Sequence, residues 1–355
     1  MKTFNAHAAA AAALIGVCAV APTANAETPA EFYAKQNLTI VIGFSPGGGA
    51  DTFARFFARH LGKHVAGKPN IIVQNMPGAG GIKAFNHFYN VGAQDGSRTI
   101  LTSPSHTLGQ FLNKKNIRYD VLKMKWIGTL TQDSASCIAS GKSGIKSIED
   151  GKTRELIMGS TGPSSSTSQH ALLLANMFGY KMKIVSGYRG TAKVWLAMKK
   201  GEVDGVCTFW ASSATGPQAQ DVASGEVVPI VQMGRKKHPA FGNAPLAYDM
   251  ARNEDERKIM RAIFGVSDLS RPYGAAPGTP EDRLAALRKG FWEAVNSPEL
   301  QADAKRLKLT IDPLNAADTV AGFEEIFSTP KALVERAKKL IEAPKSSMKE
   351  MKKKG

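Results

Sequence analysis

Two series of apolar strands, each followed by a small-residue turn and an amphipathic helix, constrain this chain more than any other feature. "LTIVIGF" (38–44) is almost continuously apolar, as a strand buried on both faces is. The apolar run stops at Ser45-Pro46, passes Gly47, Gly48 and Gly49, and restarts with helical spacing at Asp51. Phe53, Phe56, Phe57 and Leu61 then share one face, with Arg55 and Arg59 away from it. "NIIVQN" (70–75), "PGAGG" with a helix through Phe85 and Phe88, and "SRTILTS" (97–103) complete a βαβαβ unit. A second series begins near Leu130. It runs through "ELIMGS", the helix "TSQHALLLANMFG" ending at Gly179, "KIVSGY", the helix "TAKVWLAMKKG", and the strands "VDGVCTF" and "VVPIVQM". Such alternation predicts parallel sheets with right-handed crossovers. "AIFGVSDLSRPYGAAPGTPEDRLAALRKGFWEAV" reads as one more strand, a proline-marked turn and a helix capped at Thr279. The expectation is an α/β chain of two lobes with a cleft between them: 27–130 plus 265–355, and 131–264. Ligands of such sheets bind beyond the carboxyl ends of strands. The candidate turns are therefore 44–51, 75–81, 103–107, 160–168 and 187–191.

The remaining composition narrows the class. A 355-residue chain with 43% hydrophobic and 21% charged residues has the means to build a sizeable core, which excludes a disordered chain. Lys2, an apolar stretch from Ala8 to Val20 and "PTANAE" predict a secretory signal peptide over 1–26, cleaved after Ala26. Cys18 raises a lipoprotein alternative, but Val17 is large for a lipidation site. No other segment reaches membrane-spanning length, so the predicted product is exported, soluble and periplasmic. A formal net charge of +16 favours anionic partners. Nucleic acid is the weaker reading, since no zinc-finger, RNA-binding or basic-zipper pattern occurs. The basic "KSSMKEMKKKG" end reads as a solvated tail. Export permits a Cys137–Cys207 disulfide; their apolar surroundings suit buried thiols equally.

The chemistry of the turns can be tested by elimination. A phosphate-binding loop needs Lys-Ser/Thr after its last glycine, but Gly49 is followed by Ala50-Asp51. "PGAGGIKAF" has Gly78 and Gly80, but Lys83 stands where a dinucleotide fingerprint needs its third glycine. His60 and His64 are spaced as metal ligands, but "HLGKH" lacks the catalytic Glu, so no metal or cofactor is expected. "GSTGPSSSTSQH" contains no G-x-S-x-G elbow, and His170 falls inside the helix. What remains is a pair of neutral anion sites at helix N-termini, one in each lobe. Asp51 is expected to be partly structural, starting its helix. Donors of this kind can hold two carboxylates but supply no general base or nucleophile.

In order, "IVIGFSPGGGADTFARFFARHLG", "IIVQNMPGAGG", "AQDGSRTIL", "GSTGPSSSTSQHALLLANMFG", "GYRGTAKVWLAMKKGEVDG" and "PYGAAPGTPEDRLAAL" resemble the receptors of tripartite tricarboxylate transporters, the Bug family of solute-binding proteins. The resemblance covers almost the whole mature chain. It implies a type II periplasmic-binding-protein fold, closure over a small organic acid (a di- or tricarboxylate, or an aromatic carboxylate), and delivery to membrane permease subunits by a monomer without catalysis. It also implies that Phe44, Ser45, Gly47, Gly48 and Gly49 form the first carboxylate loop, bordered by Ser103 and Ser105. Ser160, Thr161, Gly162, Ser164, Ser165 and Ser166 would form the second, beside Tyr188, Arg189 and Gly190. Arg189 stands where the family often has Lys, and would offer a planar fork. Ser168 replaces a common His, Thr208 a usual Asp, and Gln74 and Met76 a usual Glu and Arg. Loss of the Asp argues against an amino-acid ligand. Trp210, two residues beyond Thr208, could stack on an aromatic acid or pack in the core. An α/β enzyme and a receptor serving a sensor kinase are the alternatives.

Overall fold

A computed structural model describes residues 27–47, 49–112, 115–163, 165–188, 191–216 and 218–342. The expected signal peptide, Cys18 and the site candidates Gly48, Ser164, Arg189 and Gly190 lie outside the described residues.

The first sheet contains β1 (Leu38–Ile42), β2 (Ile71–Asn75), β3 (Arg98–Leu101), β4 (Lys125–Thr129) and, from far downstream, β10 (Pro272–Ala275). The second contains β5 (Ala135–Ser140), β6 (Leu156–Ser160), β7 (Met182–Ser186), β8 (Gly205–Trp210) and β9 (Val227–Gln232). Their strand orders are β2-β1-β3-β10-β4 and β7-β6-β8-β5-β9, the same pattern twice. Parallel pairing holds for β2-β1-β3 and β7-β6-β8, as the alternation predicts. The all-parallel expectation fails in one position of each sheet. β10 runs antiparallel to β3 and β4, and β5 antiparallel to β8 and β9. Each of these strands enters its sheet just after the chain has crossed between lobes, which reverses its direction relative to its neighbours.

The helix Gly49–Leu61 buries Phe53, Phe56, Phe57 and Leu61 and leaves Arg55 and Arg59 exposed, as its spacing predicts. The helix Ser166–Phe178 is buried almost all round and ends at Gly179 in the left-handed conformation. The segment around "AIFGVSDLSRPYGA" departs from its reading. "AIF" closes the helix Glu254–Phe264, a single helical turn follows, and the strand begins only at Pro272. Nor does Thr279 cap the next helix, whose N-cap is Pro280; the Thr279 hydroxyl is buried without a partner.

One apolar cluster joins the two halves, from Phe85 and Trp126 beside the first sheet to Met158 and Leu174 beside the second, through Ile263 and Phe323. Helix Ala316–Phe327 packs on β4, and helix Lys331–Leu340 on Ser166–Phe178 and Glu254–Phe264. At the crossings, the Leu130 amide donates to the Arg271 carbonyl at 2.9 Å and Thr129 pairs with Leu314. Cys137 and Cys207 form a disulfide between β5 and β8. Ser136 faces Phe209 and Ile138 faces Val206, so Cys207 and Thr208 together oppose Cys137 in a bulge. Thr208 there has φ +64°, a strained conformation for a β-branched residue.

Candidate functional site

The carboxyl ends of β1, β3 and β8 and the start of helix Ser166–Phe178 converge on a cleft of about 610 Å³. From the first sheet come Phe44, Ser45, Pro46, Gly47, Gly49 and Ala50, then Ser103, Ser105 and Leu108. Across from them stand Ser166, Gln169, His170 and Trp210. The returning crossing supplies Val266, Ser267 and Arg271. Among the described wall residues none is acidic. A separate, more open depression of about 810 Å³ runs along helix Gly49–Leu61 and β2, lined by Arg59, Lys63, Lys68 and Ile71.

The glycine turn is built from behind. Gly47 has φ +78°, where a side chain would be strained, and its amide donates to the Asp51 carboxylate at 2.9 Å. Asp51 also accepts from Asn75 Nδ2 and Arg55 Nε, each at 3.0 Å. Bonded by Arg55 first, with help from Gly47 and Asn75, the carboxyl is held down to about 2. Asp51 is thus buried scaffold, as its partly structural reading expects, and it does not line the cleft. Asn75 adds a 2.9 Å bond to the Phe44 carbonyl.

"PGAGG" supports a second wall turn. The Ser103 amide can only donate, so His106 Nδ1 accepts from it at 3.1 Å, and Nε2 carries the proton toward the Gly80 carbonyl at 3.1 Å. Complete burial pulls His106 down to about 4, so this neutral form persists. A β-carbon on Gly81 would lie 2.4 Å from that ring, which explains the glycine. Ser103 and Ser105 share a 2.8 Å hydroxyl contact at the rim. The 75–81 turn itself does not reach the cavity.

The serine turn behaves differently. Ser160 Oγ lies 2.5 Å from Ser168 Oγ, 3.0 Å from Thr167 Oγ1 and 3.2 Å from Ser165 Oγ. Ser165 and Ser168 both donate to the Gly162 carbonyl, at 2.7 and 2.8 Å, and the Thr161 amide donates to Thr167. These hydroxyls satisfy one another, and of the described residues in this turn only Ser166 lines the cleft. Tyr188 packs instead beside the cluster of Val194 and Phe209, its amide donating to the Ser160 carbonyl at 3.3 Å.

Thr208 is buried and reaches the cleft only through His170, whose Nδ1 lies 2.9 Å from its hydroxyl. Burial lowers His170 to about 4, with the Ile263 carbonyl opposing. Trp210 is part-buried at the wall, packed on the core along one side.

Sequence reasoning missed Leu108, Gln169, Val266 and Ser267 of the wall, and above all Arg271. Its guanidinium lies 5.1 Å over the Phe53 ring, and Nη1 donates to the Ser270 carbonyl at 2.9 Å and hydroxyl at 3.3 Å. Its Nε is buried without a partner. Nη2 lies 3.7 Å from where a Gly49 β-carbon would stand. Burial pulls its pKa below the ordinary guanidinium value, with Asp133 opposing. One Arg among 46 basic residues carries no local signal of this position.

Two like sheets, joined by crossings and enclosing a cleft at their strand ends, define a two-lobed periplasmic-binding-protein fold. Comparison with known proteins agrees. No family model matches the chain. A curated UPF0065 protein encoded in the gbd 5' region of Cupriavidus necator is 23% identical over 339 residues, 92% of this chain and 94% of its own. A TctC solute-binding protein from Polaromonas superposes with a TM-score of 0.66 at 19% identity, covering 87% of this chain and 99% of its own. MatC from Rhodopseudomonas palustris, solved with malate, gives 0.60 at 21% identity over 86% and 99%. A second R. palustris protein, solved with adipate, gives 0.63 at 19% identity over 86% and 97%. The fold that the sequence resemblance implied is therefore the fold observed.

Proposed function

We propose that this chain is a receptor of the Bug and TctC kind, which captures a small organic acid by closing its lobes and delivers it to membrane permease subunits. The observation that carries the reading is the cleft itself: the start of helix Gly49–Leu61, the hydroxyls of Ser103 and Ser105, a guanidinium and, among the described residues, no acidic wall residue, an arrangement that favours a carboxylate. The malate- and adipate-bound neighbours share the fold and support the same ligand class. Among the described residues no helix is long and apolar enough to cross a membrane. With the signal-peptide pattern at 1–26, this supports a periplasmic protein, which we read as a monomer. Non-catalytic action is supported by the fold shared with solute-binding proteins. Closure would turn on the crossings near Leu130 and Arg271.

A thermal-shift screen of the mature protein tests this reading. An acid at 100 times its dissociation constant should add about 2.7 kcal/mol to stability, and chromatography should return it unchanged. Stabilisation by sugars or nucleotides with none by any acid, or conversion of the acid, would contradict the proposal.

A further inference from the structure

The charge in the cleft is concentrated in one side chain. Arg271 is the one charged side chain among its described wall residues, His170 being neutral. It forms no ion pair with any described acid. Asp133, which acts on it from a distance, already accepts the Ser212 amide at 3.3 Å and hydroxyl at 2.6 Å. Among the described residues Nη2 has no hydrogen-bond partner, and it lies beside Gly49, the first residue of a 13-residue helix. The guanidinium is braced on Phe53 and anchored through Ser270, so the open edge is held in place. A part-buried cation with no acid in direct contact is costly, and a bidentate carboxylate relieves that cost. Among the other described wall residues there is no second cation: Trp210 and Leu108 present apolar surface, and Ser160, Ser165 and Ser168 behind the wall are already bonded to one another and to Gly162.

Resting on the carboxylate-receptor reading above, we infer that Arg271 and the start of helix Gly49–Leu61 together grip a single carboxylate, and that the ligand is a monocarboxylic acid with an apolar body packed against Trp210. A second carboxylate elsewhere in the cleft would be stripped of water with no second cation among the described wall residues to meet it.

Calorimetric titration of the mature protein tests this with benzoate and hexanoate, their neutral amides, and terephthalate, malate and adipate. The expected result is that at least one monocarboxylate binds, its amide binds about 100-fold more weakly, and the dicarboxylates bind more weakly than the acid. Arg271→Gln should weaken the acid about 100-fold without changing the amide, and Arg271→Lys should fall between. Equal binding of the acid by a normally melting Arg271→Gln would overturn the role of Arg271. Tighter binding of a dicarboxylate would overturn the single-headed ligand while leaving the receptor function standing. If no acid of either kind binds, both the inference and the receptor function fail. Should Arg271→Gln not fold, the wild-type preference for acid over amide and over dicarboxylate decides alone.

Discussion

The glycine turn after β1 and the serine turn after β6 occupy equivalent places in equivalent sheets, yet they use their polar groups in opposite ways. In the first, a buried carboxylate behind the turn takes up the Gly47 amide, Asn75 and Arg55, leaving the front of the turn facing the cleft beside Arg271. In the second, Ser160, Ser165, Thr167 and Ser168 bond one another and the Gly162 carbonyl, and only Ser166 of the described residues faces the cleft. Small polar residues after a strand therefore do not by themselves make an anion site. What decides is whether another group satisfies the turn from behind.

The largest contrast between the lobes should come from the disulfide. Closing 70 residues, it constrains the unfolded second lobe by up to about 4 kcal/mol. The double variant Cys137→Ala/Cys207→Ala should lower the denaturation midpoint, with hydrogen exchange accelerated in the second sheet and unchanged in the first. Equal acceleration in both sheets would show that the lobes unfold as one unit.

Asp51→Ala comes next, costing about 2–3 kcal/mol and ligand affinity together, because the Gly47 amide and Asn75 lose their shared acceptor. The Asp51 pKa is depressed, so its contribution is complete above the ordinary carboxyl value of 3.8 and is lost as pH falls toward about 2. Acid titration of wild type and variant should converge in that window. Ser165→Ala, on the other lobe, should cost only about 1 kcal/mol and leave affinity nearly unchanged, since its hydroxyl serves the knot. A large affinity loss there would make the serine turn a second anion site after all.

The smallest contrast concerns two glycines. Gly47→Ala forces a side chain into positive φ and should destabilise by roughly 1–2 kcal/mol. Gly162 has open space at its β-carbon position and no positive φ, so Gly162→Ala should be neutral or slightly stabilising by melting temperature.

Much of this was readable in the residues. Buried strands such as "LTIVI" and "LIMGS" are recognisable by composition, and the Phe53–Leu61 stripe by period, because burial imposes both. The antiparallel β5 and β10 were not, since direction depends on where the chain re-enters a sheet. In the site, the glycine turn and the rim serines were legible from small residues at strand ends. The inward hydroxyl knot was not, because a serine turned inward and one turned outward look alike in sequence. Arg271 reaches the cleft only because its crossing packs against Phe53 of a helix more than two hundred residues earlier. His106 and His170 likewise acquire their roles from contacts with Gly80 and Thr208 that local periodicity does not record.

The most direct test of the central claim is a crystal structure of the mature protein with the tightest-binding acid of the panel. The carboxylate should lie within hydrogen-bond distance of Arg271 and the start of helix Gly49–Leu61, with the ligand body against Trp210. A carboxylate held instead by Ser160, Ser165 and Ser168, with Arg271 uninvolved, would contradict the account.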